Sequence, residues 1–196
     1  MTKEQFNEFW TSKYSETVPI SHYFKDDYNN KWFRIHSLPE SKRFANTDEE
    51  WTILLTRQNQ IITDLLGQNT NILIVTGEYN WGERQTFITE EEEVFKPYVF
   101  KRLDNIDLFE LTPDDYDKGE IYRPAFAETI WVQNKHDKLL REISVDKVRA
   151  FFISIEKNVL IAPYDGGVDF ILKDSETRNT YKLKYKDWLS KREDDY

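Results

Sequence analysis

Two stretches of the 196-residue chain concentrate side chains that can do chemistry. The first is Arg34-Ile35-His36-Ser37-Leu38-Pro39-Glu40-Ser41-Lys42-Arg43. Arg34 and His36 alternate along a strand and so share one of its faces; Lys42 and Arg43 follow on the loop after Pro39. Three cations, an imidazole and two hydroxyls in this stretch suit a carboxylate or a phosphate, because arginine offers a planar fork of donors and lysine a point charge. The second stretch is Ala162-Pro163-Tyr164-Asp165-Gly166-Gly167-Val168-Asp169. Pro163 fixes φ, and the glycine pair permits positive φ or the close approach of another backbone. Asp165 and Asp169 make a candidate carboxylate pair, but a glycine turn leaves their separation open, so no acid and base roles follow. The candidate ligand-binding residues are therefore Arg34, His36, Lys42, Arg43, Tyr164, Asp165 and Asp169. A shared site requires the two stretches to meet around one pocket. The structural alternative is that the cations pair with Asp48, Glu49 or the acidic middle of the chain, while Asp165 closes a tight turn on its own backbone.

Other chemistries have little to stand on. The chain has no cysteine, which excludes disulfides, thiolate metal sites and cysteine nucleophiles. Phosphate-cradling glycine loops of the GxxxxGK[ST] and GxGxxG types are absent, as are HExxH and GxSxG. His22, His36 and His136 have no partner at the spacing of a metal site and read as surface or internally satisfied histidines. Asp115–Glu120 lacks the third acid and the glycine of a calcium loop. SxxK occurs at Ser144–Lys147 and Ser154–Lys157, without the SDN and KTG segments that give it meaning. No cofactor, metal or catalytic residue is assigned, and the balance leans against an enzyme.

Charge divides unevenly. Against 27 basic residues stand 36 acidic ones, a net −9. Residues 78–120 hold 13 acids and 5 bases, a net of −8, whereas residues 1–77 and 121–196 are close to neutral. Such a chain repels phosphate, which argues against nucleic acid and against an anionic membrane. The acidic segment is either a solvated face or a docking surface for a basic protein partner. Met1 is followed by Thr2, Lys3 and Glu4 with no apolar leader, and runs such as Ile72–Val75 fall well short of the roughly 18 residues that span a bilayer. The cytoplasm is the expected location.

The elements that must position these residues follow from periodicity. Thr2 caps a first helix over about 3–14, with Phe6, Phe9, Trp10 and Tyr14 on one face. Trp32–Ser37 alternates as a strand. Thr47-Asp48-Glu49-Glu50 is a capping box opening a helix over 48–66, which Gly67 ends. Asn71–Thr76 is a strand, and residues 77–120 are hard to read, with short strands expected around Tyr79, Trp81, Phe87 and Ile88, and at Phe100–Leu103 and Leu108–Leu111. Ala125–Gln133 is a strand and 135–143 a short helix. Ala150–Ile155 and Val159–Ala162 form a hairpin turning at Asn158. Val168–Leu172 is a further strand and 176–190 a last helix, with Tyr181, Tyr185, Trp188 and Leu189 inward. The order implies one α+β domain over residues 1–196, built on a single mixed or largely antiparallel sheet packed by helices.

The strings HSLPxSKR, at His36–Arg43, and APYDGG, at Ala162–Gly167, resemble an uncharacterised family of bacterial proteins. The resemblance covers Lys31–Leu66 and Ala150–Leu189 and extends to Trp32 and Trp188. It implies a bacterial, cytosolic, single-domain protein and carries over no activity, ligand or catalytic residue. The preferred functional reading is a soluble bacterial binding or interaction protein, of immunity or accessory type, with an acidic surface at 78–120. The alternative is a protein that binds a small anionic ligand, or an enzyme of unassigned reaction, through 34–43 and 164–169.

Overall fold

The computed structural model describes residues 1–80 and 86–189. In chain order its elements are α1 (Lys3–Lys13), α2 (Phe24–Asp27), β1 (Trp32–His36), α3 (Asp48–Leu66), β2 (Thr70–Asn80), α4 (Ile88–Glu91), β3 (Lys101–Arg102) and β4 (Ile106–Asp107). There follow α5 (Leu108–Leu111), β5 (Ile121–Trp131), α6 (Asp137–Ser144), β6 (Ala150–Ser154), β7 (Val159–Pro163), β8 (Gly167–Ile171) and α7 (Ser175–Lys184). The strands make one sheet in the order β1-β8-β7-β6-β2-β5-β3, with β4 also on β5. Every pairing between them is antiparallel, so of the two expected sheet types it is the antiparallel one.

Strand alternation sorts the core into two layers. Phe33, Ile35, Ile74, Phe152, Ile161 and Phe170 face the side covered by α3, α6 and Tyr185. Trp32, Val75, Phe126, Phe151, Leu160 and Ile171 face the other side, where α1 and α2 lay down Phe6, Trp10, Phe24 and Tyr28. Aromatic rings fill much of this second layer: Phe6 stacks on Phe126 at 4.9 Å, and Phe24 meets Phe151 edge-on at 4.9 Å. Edge-on and offset contacts of this kind stabilise beyond the area they bury. Both strongly patterned helices begin as their sequences dictate. Thr2 and Gln5 form a reciprocal capping box on α1. Thr47 accepts from the Glu50 N–H on α3, but the Glu50 carboxylate reaches one residue further back, to the Asn46 N–H at 2.7 Å.

Several expectations need correcting. Leu108–Leu111 is a helical turn rather than a strand, because Asp107 accepts from the Glu110 N–H and caps it. Ile88 opens α4 instead of lying in a strand, and the expectation at Trp81 falls outside the described residues. The strand at 71–76 is longer, reaching Asn80, since β5 pairs with it along Thr70–Asn80. The final helix stops at Lys184, and a separate single turn at Lys186–Trp188 carries Trp188 inward. His136, the most enclosed of the histidines, is internally satisfied. Its Nε2–H donates to the Ile130 carbonyl at 3.1 Å, its Nδ1 accepts from the Tyr98 hydroxyl at 2.9 Å, and its ring stacks on Trp131.

Candidate functional site

The sheet order sets β1 beside β8, pairing Arg34 with Asp169 and His36 with Gly167. Residues of the two charged stretches thereby become neighbours, although about 130 residues of chain separate them. Arg34 and Asp169 lie opposite each other on the same face and lock as a fork: Nε donates to Oδ1 at 2.6 Å and a terminal nitrogen to Oδ2 at 2.7 Å. Both side chains are only 13% exposed. The guanidinium lies 4.6 Å from the centre of the Tyr164 ring and 5.5 Å from that of Trp32, so aromatic faces as well as the carboxylate hold the charge. Burial opposes the Arg34 charge, yet its bonds to Asp169 outweigh that and push its pKa above the usual value.

The glycine pair has a steric task. Tyr164 N–H donates to the Gly167 carbonyl at 2.9 Å, closing the β7–β8 turn around Asp165 and Gly166. Neither glycine takes positive φ. A Cβ on Gly167 would instead lie 2.0 Å from the Ile35 carbonyl oxygen, and one on Gly166 would run into the Tyr164 ring. Of the two roles open to the glycines in the sequence, close approach is the one used. It lets β1 seat against β8 and lets Tyr164 fold over the turn. Burial raises the Tyr164 phenol above its usual value, and the nearby Asp169 and Asp165 act in the same direction.

The loop after β1 comes back to the same place. Arg43 donates through Nε to Asp165 Oδ2 at 2.6 Å, with a second nitrogen on the same oxygen. Here the arginine side chain is 65% exposed and the aspartate 9%. Arg34, Arg43, Tyr164, Asp165 and Asp169 thus wall one cleft of about 320 Å³. The remaining two candidates lie elsewhere. Lys42 pairs with Glu50 at the start of α3, and His36 lines a separate cleft beside Arg57 and Trp188.

The cleft also draws on residues that the sequence left unmarked. His22, Lys25 and Asp26 enter from the segment leading through α2, and Asp146 and Arg149 from the loop between α6 and β6. The first is made of single helical turns and the second is a loop, so no periodicity announces which way their side chains point. Asp146 has φ of 55°, and its carboxylate lies 3.6 Å from the Arg149 guanidinium, a loose pair with both side chains more than half exposed. The cleft is therefore lined by both cations and carboxylates and can hold a small polar guest by charge-assisted hydrogen bonds. Among the described residues no group of three or more His, Asp or Glu side chains is arranged to hold a metal ion. No helix among them is long and apolar enough to cross a membrane.

The acidic middle resolves into two parts. Glu78 is buried in a pair with Arg123, Glu90 pairs with Arg102, Glu92 with Lys147, Glu93 with Lys96 and Asp104 with Lys3. From Asp107 to Glu120, by contrast, six acids accompany the single base Lys118, and Asp107, Glu110, Asp114, Asp115 and Asp117 are exposed. This stretch rests on a cluster formed by Ile20, Leu108 and Tyr122, flanked by Tyr23, Tyr79 and Tyr116.

Among known proteins, no curated sequence and no solved structure matches the chain. A family model does match, over residues 20–193, and its description is a domain of unknown function, DUF3885. That span contains β1 to β8 and every residue of the cleft. The chain therefore belongs to the DUF3885 family, an uncharacterised family to which no function is attached.

Proposed function

We propose that this protein, a bacterial cytoplasmic one, binds a small anionic molecule in the cleft between the 34–43 and 164–169 segments. The observation that carries the reading is the convergence of Arg34 and Arg43 with Tyr164, Asp165 and Asp169 on one cleft. The two arginine–aspartate pairs have different parts. Arg34–Asp169 is closed and largely buried, so it builds the floor. Arg43 is mostly exposed, and with Lys25 and Arg149 it offers donors at the mouth.

The test is isothermal titration with inorganic phosphate, citrate and glutamate as probes. One of them is expected to bind saturably, and both Arg43→Ala and Asp165→Ala should remove that binding while keeping the circular dichroism of the native fold. Arg43→Ala should leave the urea midpoint close to the parent's, because solvent at the mouth of the cleft can take the place of an exposed partner. Loss of the fold in both variants would assign these residues to scaffolding instead.

A second reading has its own observation, the exposed carboxylates from Asp107 to Glu120. A binding or interaction protein of immunity or accessory type would use this face to dock a basic protein, with tyrosines at hand for its guanidinium or ammonium groups. Immobilised protein is then expected to retain a basic partner from bacterial lysate at low salt and release it at high salt. Retention that survives neutralising Asp114, Asp115 and Asp117 to asparagine would count against that face.

A further inference from the structure

A second cleft, of about 400 Å³, opens at the far end of β1, between the turn at 38–41, α3 and the inward-turning Trp188. Its volume is within the range of small-molecule sites. The informative residue is Arg57. Its guanidinium is half-buried, donates to the His36 carbonyl at 3.1 Å and lies 5.3 Å from the centre of the Trp188 ring. Among the described residues it forms no ion pair with a carboxylate. A partly desolvated guanidinium normally has a counter-ion, because leaving such a charge unpaired is costly. Arg57 has a carbonyl and a ring face, which use only part of its five-donor fork.

The second observation concerns His36, which lines the same cleft and is 8% exposed. Its Nε2 is buried with no hydrogen-bond partner among the described residues. Burial, with help from the guanidiniums of Arg34 and Arg57, lowers the ring's pKa and favours the neutral form. The rest of the lining is apolar toward the interior, with Leu38 and Leu189, and acidic at the rim, with Glu40 and Asp187 exposed. The turn that shapes it holds Glu40 and Ser41 in succession at φ of 54°, a left-handed conformation that non-glycine residues adopt only under constraint.

We propose that this cleft is a binding site for a small organic monocarboxylate with an apolar body, its carboxylate held by the fork of Arg57 and its body against Leu38 and Trp188. The acidic rim disfavours a guest of higher negative charge such as phosphate or a nucleotide. This site is independent of the one between Arg43 and Asp165 and stands or falls separately.

The probe is 3-phenylpropionate, followed by the Trp188 indole N–H and His36 ring resonances of the whole protein. A saturable shift is expected with the acid and none with the neutral 3-phenylpropanol or with inorganic phosphate at the same concentrations. Arg57→Gln should weaken binding at least roughly tenfold, the usual effect of losing a charge-assisted hydrogen bond, and Arg57→Lys should restore part of it. Arg43→Ala should leave it unchanged. The proposal is overturned if the acid produces no saturable shift, if the alcohol or phosphate binds as well, or if Arg57→Gln binds like the parent. Should Arg57→Gln fail to fold, the comparison of acid, alcohol and phosphate on the unmodified protein decides.

Discussion

Asp169→Ala should destabilise the protein by about 3–5 kcal/mol, the usual effect of removing one partner of a buried ion pair. The size follows from what the substitution leaves behind. Arg34 would keep its place between Tyr164 and Trp32, 13% exposed, with both fork contacts gone. Aromatic faces offset part of the guanidinium charge, but not the loss of two short, parallel, charge-assisted bonds. Substituting both partners with leucine removes the charge along with its counter-charge, so that double variant should recover most of the loss. Urea unfolding of the single and double variants measures both effects. A single variant within about 1 kcal/mol of the parent would mean that solvent already screens the pair. The same experiment separates the two halves of the cleft: Asp169 is expected to matter to the fold, Asp165 and Arg43 to what the cleft holds.

Gly167→Ala should cost about 3 kcal/mol, toward the upper end of what a single added methyl does in a packed interior. The obstacle is backbone rather than a side chain that can swing away: the new Cβ would meet the Ile35 carbonyl oxygen at 2.0 Å. Relief requires β1 and β8 to part, which strains the His36–Gly167 pairing and the bond from the Ser37 N–H to the Gly166 carbonyl. Gly119→Ala is the informative contrast. That glycine has positive φ of 94° and open space around it, so its substitution should cost only about 1 kcal/mol, through backbone strain alone. Equal effects at the two glycines, by urea midpoint, would show that crowding at Gly167 is not the governing factor.

Legibility in the sequence tracked the length and regularity of each element. The helix at 48–66 declares itself through a cap, a long apolar stripe and a terminal glycine, and its observed ends match. The hairpin of β6 and β7 is similarly plain, with Asn158 at φ of 52° where the turn wants it. Residues 86–120 defeat such reading because they hold two four-residue helices and two two-residue strands. Elements that short carry about one period of a pattern, too little to show a repeat, and their conformation is decided by what they pack on. The cleft was legible in part for a related reason. Arg34, Arg43, Tyr164, Asp165 and Asp169 stand out as types crowded into short stretches, whereas their partnerships depend on β1 lying next to β8, which no local pattern encodes. His36, the last residue of β1, and Lys42, on the loop beyond it, had the same appearance in sequence but make other contacts, since a residue's type does not reveal its direction where a strand gives way to a turn. Arg57 shows the reverse case. It sits in the most readable helix of the chain, and only the three-dimensional neighbours reveal that no carboxylate among the described residues pairs with its charge.

The position of β1 at the border of the sheet bears on how the molecule comes into being. Among the described residues its only strand partner is β8, and the Arg34–Asp169 fork bridges 135 residues of sequence. During synthesis, Trp32–His36 leaves the ribosome long before the strand that will receive it. By then β6, β7 and β8 can zip as successive local hairpins, whereas β1 must wait for a loop closure spanning most of the chain. The cleft therefore exists only once that closure is made, and a nascent or truncated chain ending before Gly167 would display Trp32, Phe33 and Ile35 as an unprotected sticky ribbon. The step that hides this ribbon is thus the same one that assembles the cleft.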